Sequence, residues 1–131
     1  MATKLADDFM HALQETERVG DAGPVVAMFA EDGEALNLGR TEPVRGREGV
    51  RRFWEEYLSS FREIRSEFTR VIEGEQGVVL EWVSRGALPD GQPVEYRGVS
   101  ILEPAEGPVR RFRTYYDSAV FLPLGAKAVH R

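Results

Sequence analysis

Gly77-Val-Val-Leu-Glu-Trp-Val-Ser-Arg-Gly-Ala-Leu-Pro-Asp-Gly-Gln-Pro-Val-Glu-Tyr-Arg-Gly-Val-Ser-Ile-Leu-Glu103 reads as two β-strands around one tight turn. The flanks, 77–88 and 94–103, are rich in β-branched and aromatic residues, and Asp90-Gly91 between them is a strong hairpin signal. Strands joined this closely must run antiparallel. The same grammar extends both ways: 64–72 and 109–117 read as strands, separated from the central pair by Glu73-Gly-Glu-Gln-Gly77 and Pro104-Ala-Glu-Gly-Pro108. The last two-thirds of the chain is therefore expected to be a four-strand meander. Gly86 and Gly98 fall inside strands, where glycine marks a kink or a close approach of backbones. Ser66, Ser84 and Ser100 fall where a filled core would favour large apolar groups.

Upstream of the meander the period changes. Val50, Phe53, Trp54, Tyr57, Leu58 and Phe61 recur at i, i+3, i+4, i+7, i+8 and i+11, the apolar face of a helix. Arg51, Arg52, Glu55 and Glu56 occupy its other side, with Arg52 and Glu56 spaced as an i, i+4 ion pair. Leu5, Phe9, Ala12, Leu13 and Thr16 define a first helix that Gly20 can stop. Residues 24–30 are expected to form a short buried helix, with Pro24 in its first turn, and residues 35–38 a short strand. Helices followed by an antiparallel sheet give an α+β fold.

The chain has 131 residues, enough for one domain with a sizeable core. We expect a single domain over 1–131, with its core at about 5–121 and a tail at 122–131. The net charge of −5 lacks the electrostatic footprint of a general nucleic-acid binder. The absence of cysteine excludes disulfides, thiolate nucleophiles and Cys-held metals. Around His11 and His130 no His–carboxylate spacing resembles a metal site, and no Gly-rich phosphate loop opens a helix, so neither metal nor cofactor is expected. Asp7 and Asp8 stand where a signal peptide needs an apolar run, and the longest such run, 25–30, is far shorter than the roughly 20 residues of a membrane span. The expectation is a cytoplasmic protein with no membrane or nucleic-acid partner.

Met28-Phe-Ala-Glu-Asp32, Gly46-Arg-Glu-Gly-Val50, Glu81-Trp82 and Phe112-Arg-Thr-Tyr-Tyr-Asp117, in this order of elements, resemble the SnoaL-like branch of the nuclear transport factor 2-like superfamily over residues 5–121. The resemblance implies a cone: a curved antiparallel sheet wrapped around three N-terminal helices, with an apolar pocket at one end. It also implies a homodimer through the sheet's outer face. Apolar residues on both faces of one strand, Val78, Leu80 and Trp82 against Val79 and Val83, agree with a second covered face.

Candidate site residues follow from both sources. Alternation puts Arg113, Tyr115 and Asp117 on one face of the last strand and Phe112, Thr114 and Tyr116 on the other, without saying which points inward. The resemblance places Asp117 in the pocket, where burial would raise its pKa and suit it to acid–base work, with Asn37 and Tyr115 as positioning groups. The alternative is that Asp117 caps a turn or pairs with a surface arginine. Laid on ketosteroid isomerases, Asn37 falls at the catalytic aspartate base, Ser100 at the oxyanion-hole aspartate and Leu13 near the tyrosine, so that mechanism is not expected. Laid on limonene epoxide hydrolases, Asn37 and Asp117 match, while Ala35 replaces a tyrosine and Val83 and Arg85 fall where an Arg-x-Asp unit belongs. Trp54, Tyr57, Phe61 and Trp82 read as core and pocket wall. Arg85 and Arg113 either hold a ligand carboxylate or phosphate or are solvated charges. Two functions stay open: cofactor-independent isomerisation, cyclisation or hydration of a small apolar organic molecule, and a non-catalytic ligand-binding or dimerisation module.

Overall fold

The computed structural model describes residues 4–122; the expected tail from residue 123 on, His130 included, lies outside the described residues. The chain order is α1 (Lys4–Val19), α2 (Gly23–Val26), β1 (Phe29–Asn37), β2 (Val44–Arg45), α3 (Gly46–Ser59), β3 (Glu63–Glu73), β4 (Val78–Ala87), β5 (Pro93–Glu103), β6 (Val109–Tyr116) and a 3-10 turn, Ser118–Phe121. The strands form one six-stranded sheet in the order β2-β1-β6-β5-β4-β3. The expected α+β cone is thus present, and its meander β3–β6 pairs antiparallel throughout.

The N-terminal third differs from the sequence expectation. The helix of 24–30 shrinks to one turn, and the short strand grows back to Phe29. The reason is tertiary: β1 runs parallel to β6, starting with Phe29 opposite Val109 and resuming as Glu34–Asn37 opposite Arg111–Thr114. A partner strand supplied by the far end of the chain overrides the local pattern. The sheet is therefore mixed, antiparallel at every pairing except β1–β6.

Helices and sheet meet along two apolar clusters. One packs Leu5, Phe9 and Leu13 of α1 and Val50, Phe53 and Trp54 of α3 on Phe29 and Phe112. Phe9 and Phe112 stack at 5.7 Å and Trp54 lies 5.1 Å from Phe112, distances at which rings attract beyond simple burial. The second holds Phe61, Ile64, Trp82, Val94 and Tyr96. Gly86 and Gly98 are places where neighbouring strands close in. A Cβ on Gly98 would collide with Tyr115 O and stand 2.7 Å from Trp82 Cζ2, and one on Gly86 would collide with Glu63 O. The space between the clusters is the pocket. No helix among the described residues is long and apolar enough to cross a membrane.

Candidate functional site

The cavity has a volume of about 280 Å³. One wall is α3 and its exit, with Phe53, Trp54, Tyr57 and Phe61. The other is the concave sheet face, with Trp82, Tyr96 and Phe112 as aromatic surface and Ser66, Ser84, Ser100 and Thr114 as polar interruptions. Apolar walls with a few placed polar groups are the usual composition of a small-molecule site. The serines explain why space remains: each points inward from a strand but is too short to fill the gap to α3.

Two polar clusters face this space. On β4–β6, Trp82 Nε1 donates to Ser100 Oγ at 2.9 Å, and Ser100 Oγ lies 3.0 Å from Thr114 Oγ1. Thr114 donates on to Val99 O at 3.4 Å, so Ser100 gives its proton to Thr114. This chain fixes the Trp82 indole as a wall. The second cluster centres on Glu17, a residue that nothing in the sequence singled out. Its Oε2 accepts from Tyr57 Oη and Ser66 Oγ, both at 2.6 Å, and its Oε1 accepts from the Ser66 backbone N–H at 2.7 Å. Burial pushes the Glu17 carboxyl up, against the pull of the Ser66 and Tyr57 hydrogen bonds. Burial likewise carries the Tyr57 phenol well above its ordinary value, helped by the neighbouring Glu17 charge. Burial raises Tyr96 and, less deeply buried, Tyr116. Trp54, 3 % exposed, carries the one buried side-chain nitrogen or oxygen without a partner among the described residues, its Nε1.

The sequence-derived candidates divide. Asn37, Trp54, Tyr57, Phe61, Trp82 and Ser100 all line the cavity. Asn37 also fixes the turn after β1, its Oδ1 accepting from Gly39 N at 3.0 Å. Asp117, Tyr115, Arg85 and Arg113 lie elsewhere. Phe112 is buried in the core, so its alternation partners Thr114 and Tyr116 face inward and Arg113, Tyr115 and Asp117 face out. Asp117 is exposed and caps the 3-10 turn, accepting from Ala119 N at 3.0 Å, which is the turn-capping alternative. Tyr115 is 42 % exposed on the outer face. Arg85 pairs with Glu95 at 3.0 Å and Glu67 at 3.7 Å, and Arg113 with Glu103 at 3.3 Å. At the cavity rim Glu56 pairs with Arg40 at 3.0 Å rather than with Arg52. Among the described residues no cluster of His, Asp and Glu could hold a metal ion.

The SnoaL-like domain family matches residues 6–112. No curated protein matches the chain. Solved structures do. An NTF2-like protein from Anabaena variabilis is 21% identical, with a TM-score of 0.79 over 88% of each chain. A protein of ketosteroid isomerase-like fold from Catenulispora acidiphila, in complex with trimethylamine, is 15% identical, with a TM-score of 0.77 over 92% of this chain and 90% of that one. TerC, co-crystallised with polyporic acid, is 16% identical, with a TM-score of 0.75 over 90% of this chain and 95% of that one. At these identities the likeness is one of fold.

Proposed function

The chain belongs to the SnoaL-like domain family, and from that premise we propose that its pocket binds a small, largely apolar organic molecule and acts on it by acid–base chemistry without a cofactor. The observation that carries this reading is the aromatic-walled cavity, lined at one place by Tyr57, Ser66 and Ser84 with the half-buried carboxyl of Glu17 behind them. Cavities of about 150 Å³ already take a benzene-sized molecule, so about 280 Å³ suits one or two fused rings. The trimethylamine and polyporic acid complexes of two proteins of the same fold support a small organic ligand. Isomerisation, cyclisation and addition of water each need a proton moved by a positioned group, and a hydroxyl backed by a carboxyl is such a group. The exposed Asp117 is not part of this proposal. The protein is further proposed to work as a homodimer through the outer sheet face.

The turn-capping position of Asp117, together with the family acids absent at Asn37 and Ser100, favours a second reading, a non-catalytic ligand-binding module on the same cavity. One experiment separates the two. Trp54 and Trp82 both line the pocket, so a ligand there quenches their emission. A panel of bicyclic terpenoid, aromatic ketone and phenol probes is titrated by fluorescence, and each binder is then incubated and analysed for product. Saturable quenching with turnover is the expected result. Quenching without turnover selects the binding module, and no saturation below millimolar concentration removes the pocket reading.

A further inference from the structure

Tyr57, Ser66 and Ser84, which line the pocket, form with Glu17 a hydrogen-bond circuit whose protons can be counted. Glu17 Oε2 accepts from Tyr57 Oη and Ser66 Oγ, and Ser66 Oγ stands 2.7 Å from Ser84 Oγ. An ionised carboxylate only accepts, so Tyr57 and Ser66 each turn their single proton toward it. Ser66 has none left, and Ser84 must donate to Ser66. Three hydroxyl protons then serve three oxygen–oxygen contacts. Tyr57, Ser66 and Ser84 line the cavity with lone pairs only, so this part of the wall offers acceptors.

One proton added to Glu17 makes four protons for the same three contacts. The carboxyl then donates to Tyr57 Oη or to Ser66 Oγ. In the first case Tyr57 turns its own proton into the cavity. In the second, Ser66 donates to Ser84 and Ser84 turns its proton in. Either way one donor is released toward the ligand.

The surroundings leave this proton to the circuit. α2 carries no titratable group, and on α1 Glu15 and Arg18 pair with each other at the surface. On β3, Arg65 and Glu67 flank Ser66 but are exposed on the strand's other face. From α3 Tyr57 faces Glu17, while Glu56 beside it is exposed and held by Arg40. Tyr96 on β5 feels the Glu17 charge, which adds to the burial and the Tyr116 contribution that raise its phenol. No cation lies within ion-pair distance of Glu17 among the described residues. The burial that raises the Glu17 carboxyl brings its protonated form closer to neutral pH.

We propose that this circuit reads a ligand oxygen by its hydrogen: it takes a ligand hydroxyl while Glu17 is ionised, and a ligand carbonyl or enolate oxygen only together with a proton on Glu17. The proposal rests on the pocket reading above and specifies its ligand as an oxygenated ring compound. 1-Indanol and 1-indanone test it, because they share one shape and differ in whether the oxygen can donate. Binding is measured calorimetrically in two buffers of different ionisation enthalpy, which reports protons taken up. In mildly alkaline solution the wild-type protein should hold 1-indanol about tenfold more tightly, the scale of one hydrogen bond left unmade. 1-Indanone should bind with uptake of about one proton and 1-indanol with none. Glu17→Gln places an amide nitrogen, a double donor, where Oε2 accepted, so the preference should reverse and the uptake disappear. An indanone complex that takes up no proton, or a preference unmoved by Glu17→Gln, overturns the proposal. If neither compound binds, that result counts against the pocket reading, and a carbon NMR titration of the unliganded protein still decides the inference. A Glu17 midpoint above the ordinary glutamate value, and higher still in Tyr57→Phe, supports it; a midpoint at or below the ordinary value overturns it.

Discussion

Ser100 shows how a single hydroxyl holds a pocket wall. It accepts from the buried Trp82 indole and gives its proton to Thr114. Ser100→Ala leaves the Trp82 N–H without an acceptor, which costs about 1–3 kcal/mol; the urea midpoint should fall with the m-value unchanged. An unchanged midpoint would mean that another acceptor serves the indole. Glu17 gives a pH signature instead. Its folded-state pKa is raised, so folding disfavours its charged form. The native state then binds more protons than the unfolded one between the two pKa values, and stability falls as pH rises through that window. The loss begins at the ordinary glutamate value of 4.5 and is complete above the folded-state value. Denaturation at several pH values should therefore show Glu17→Gln gaining on the wild-type protein as pH rises from acid to neutral, and a constant difference would contradict the raised pKa. The two groups were not equally legible in the sequence. Ser100 stood out as a small polar residue at a strand position. Glu17 sits among Glu15 and Arg18 on a helix face that reads as solvated, and only the packing of α1 against β3 brings it to Ser66. Asp117 failed for a different reason: alternation sorts a strand into two faces, but its inward face is fixed by Phe112 meeting Phe9 across the core.

At the scale of elements, the strands β3–β6 and the helices α1 and α3 follow from periodicity because each is stabilised by its own pattern plus a neighbour close in sequence. β1 is stabilised by β6, from the far end of the chain, and no local signal announces that pairing. The two strand glycines were legible as places of a kink or a close approach, and the structure shows the close approach. Gly98 lies on β5 where Trp82 of β4 and Tyr115 and Tyr116 of β6 close in, so a methyl group has no room. Gly98→Ala should destabilise by about 1–3 kcal/mol, the usual cost of overpacking, and should weaken pocket binding because Trp82 is the atom group displaced. Gly74→Ala serves as the comparison: its Cβ would stand 3.9 Å from the nearest atom, in the turn between β3 and β4. Thermal denaturation of both variants checks the argument, and equal midpoints would show that the sheet relaxes around Gly98.

Among the described residues, the sheet's outer face carries an apolar surface that their own packing does not cover. The register aligns Ile72 with Val79 and Val79 with Ile101, and sets Val99 beside Tyr115. These side chains alternate with the buried Val78, Leu80, Ser100 and Leu102, so they lie on the face away from the helices. Ile72 is 55 % and Tyr115 42 % exposed. Around them run the ion pairs of Arg85 with Glu95 and Glu67, and of Arg113 and Arg111 with Glu103. An apolar centre with a charged rim is the anatomy of a protein interface, and it gives Arg85 and Arg113 a setting that does not involve a pocket ligand. The proposed homodimer follows: sedimentation at micromolar concentration should give twice the monomer mass. Val79→Lys with Ile101→Lys places like charges on adjacent strands at the centre of this face. That pair of substitutions should yield a folded monomer whose tryptophans are still quenched by pocket ligands, since the cavity lies on the opposite side of the sheet. A wild-type monomer at that concentration would refute the dimer, and a dimer that survives both lysines would move the interface to another surface.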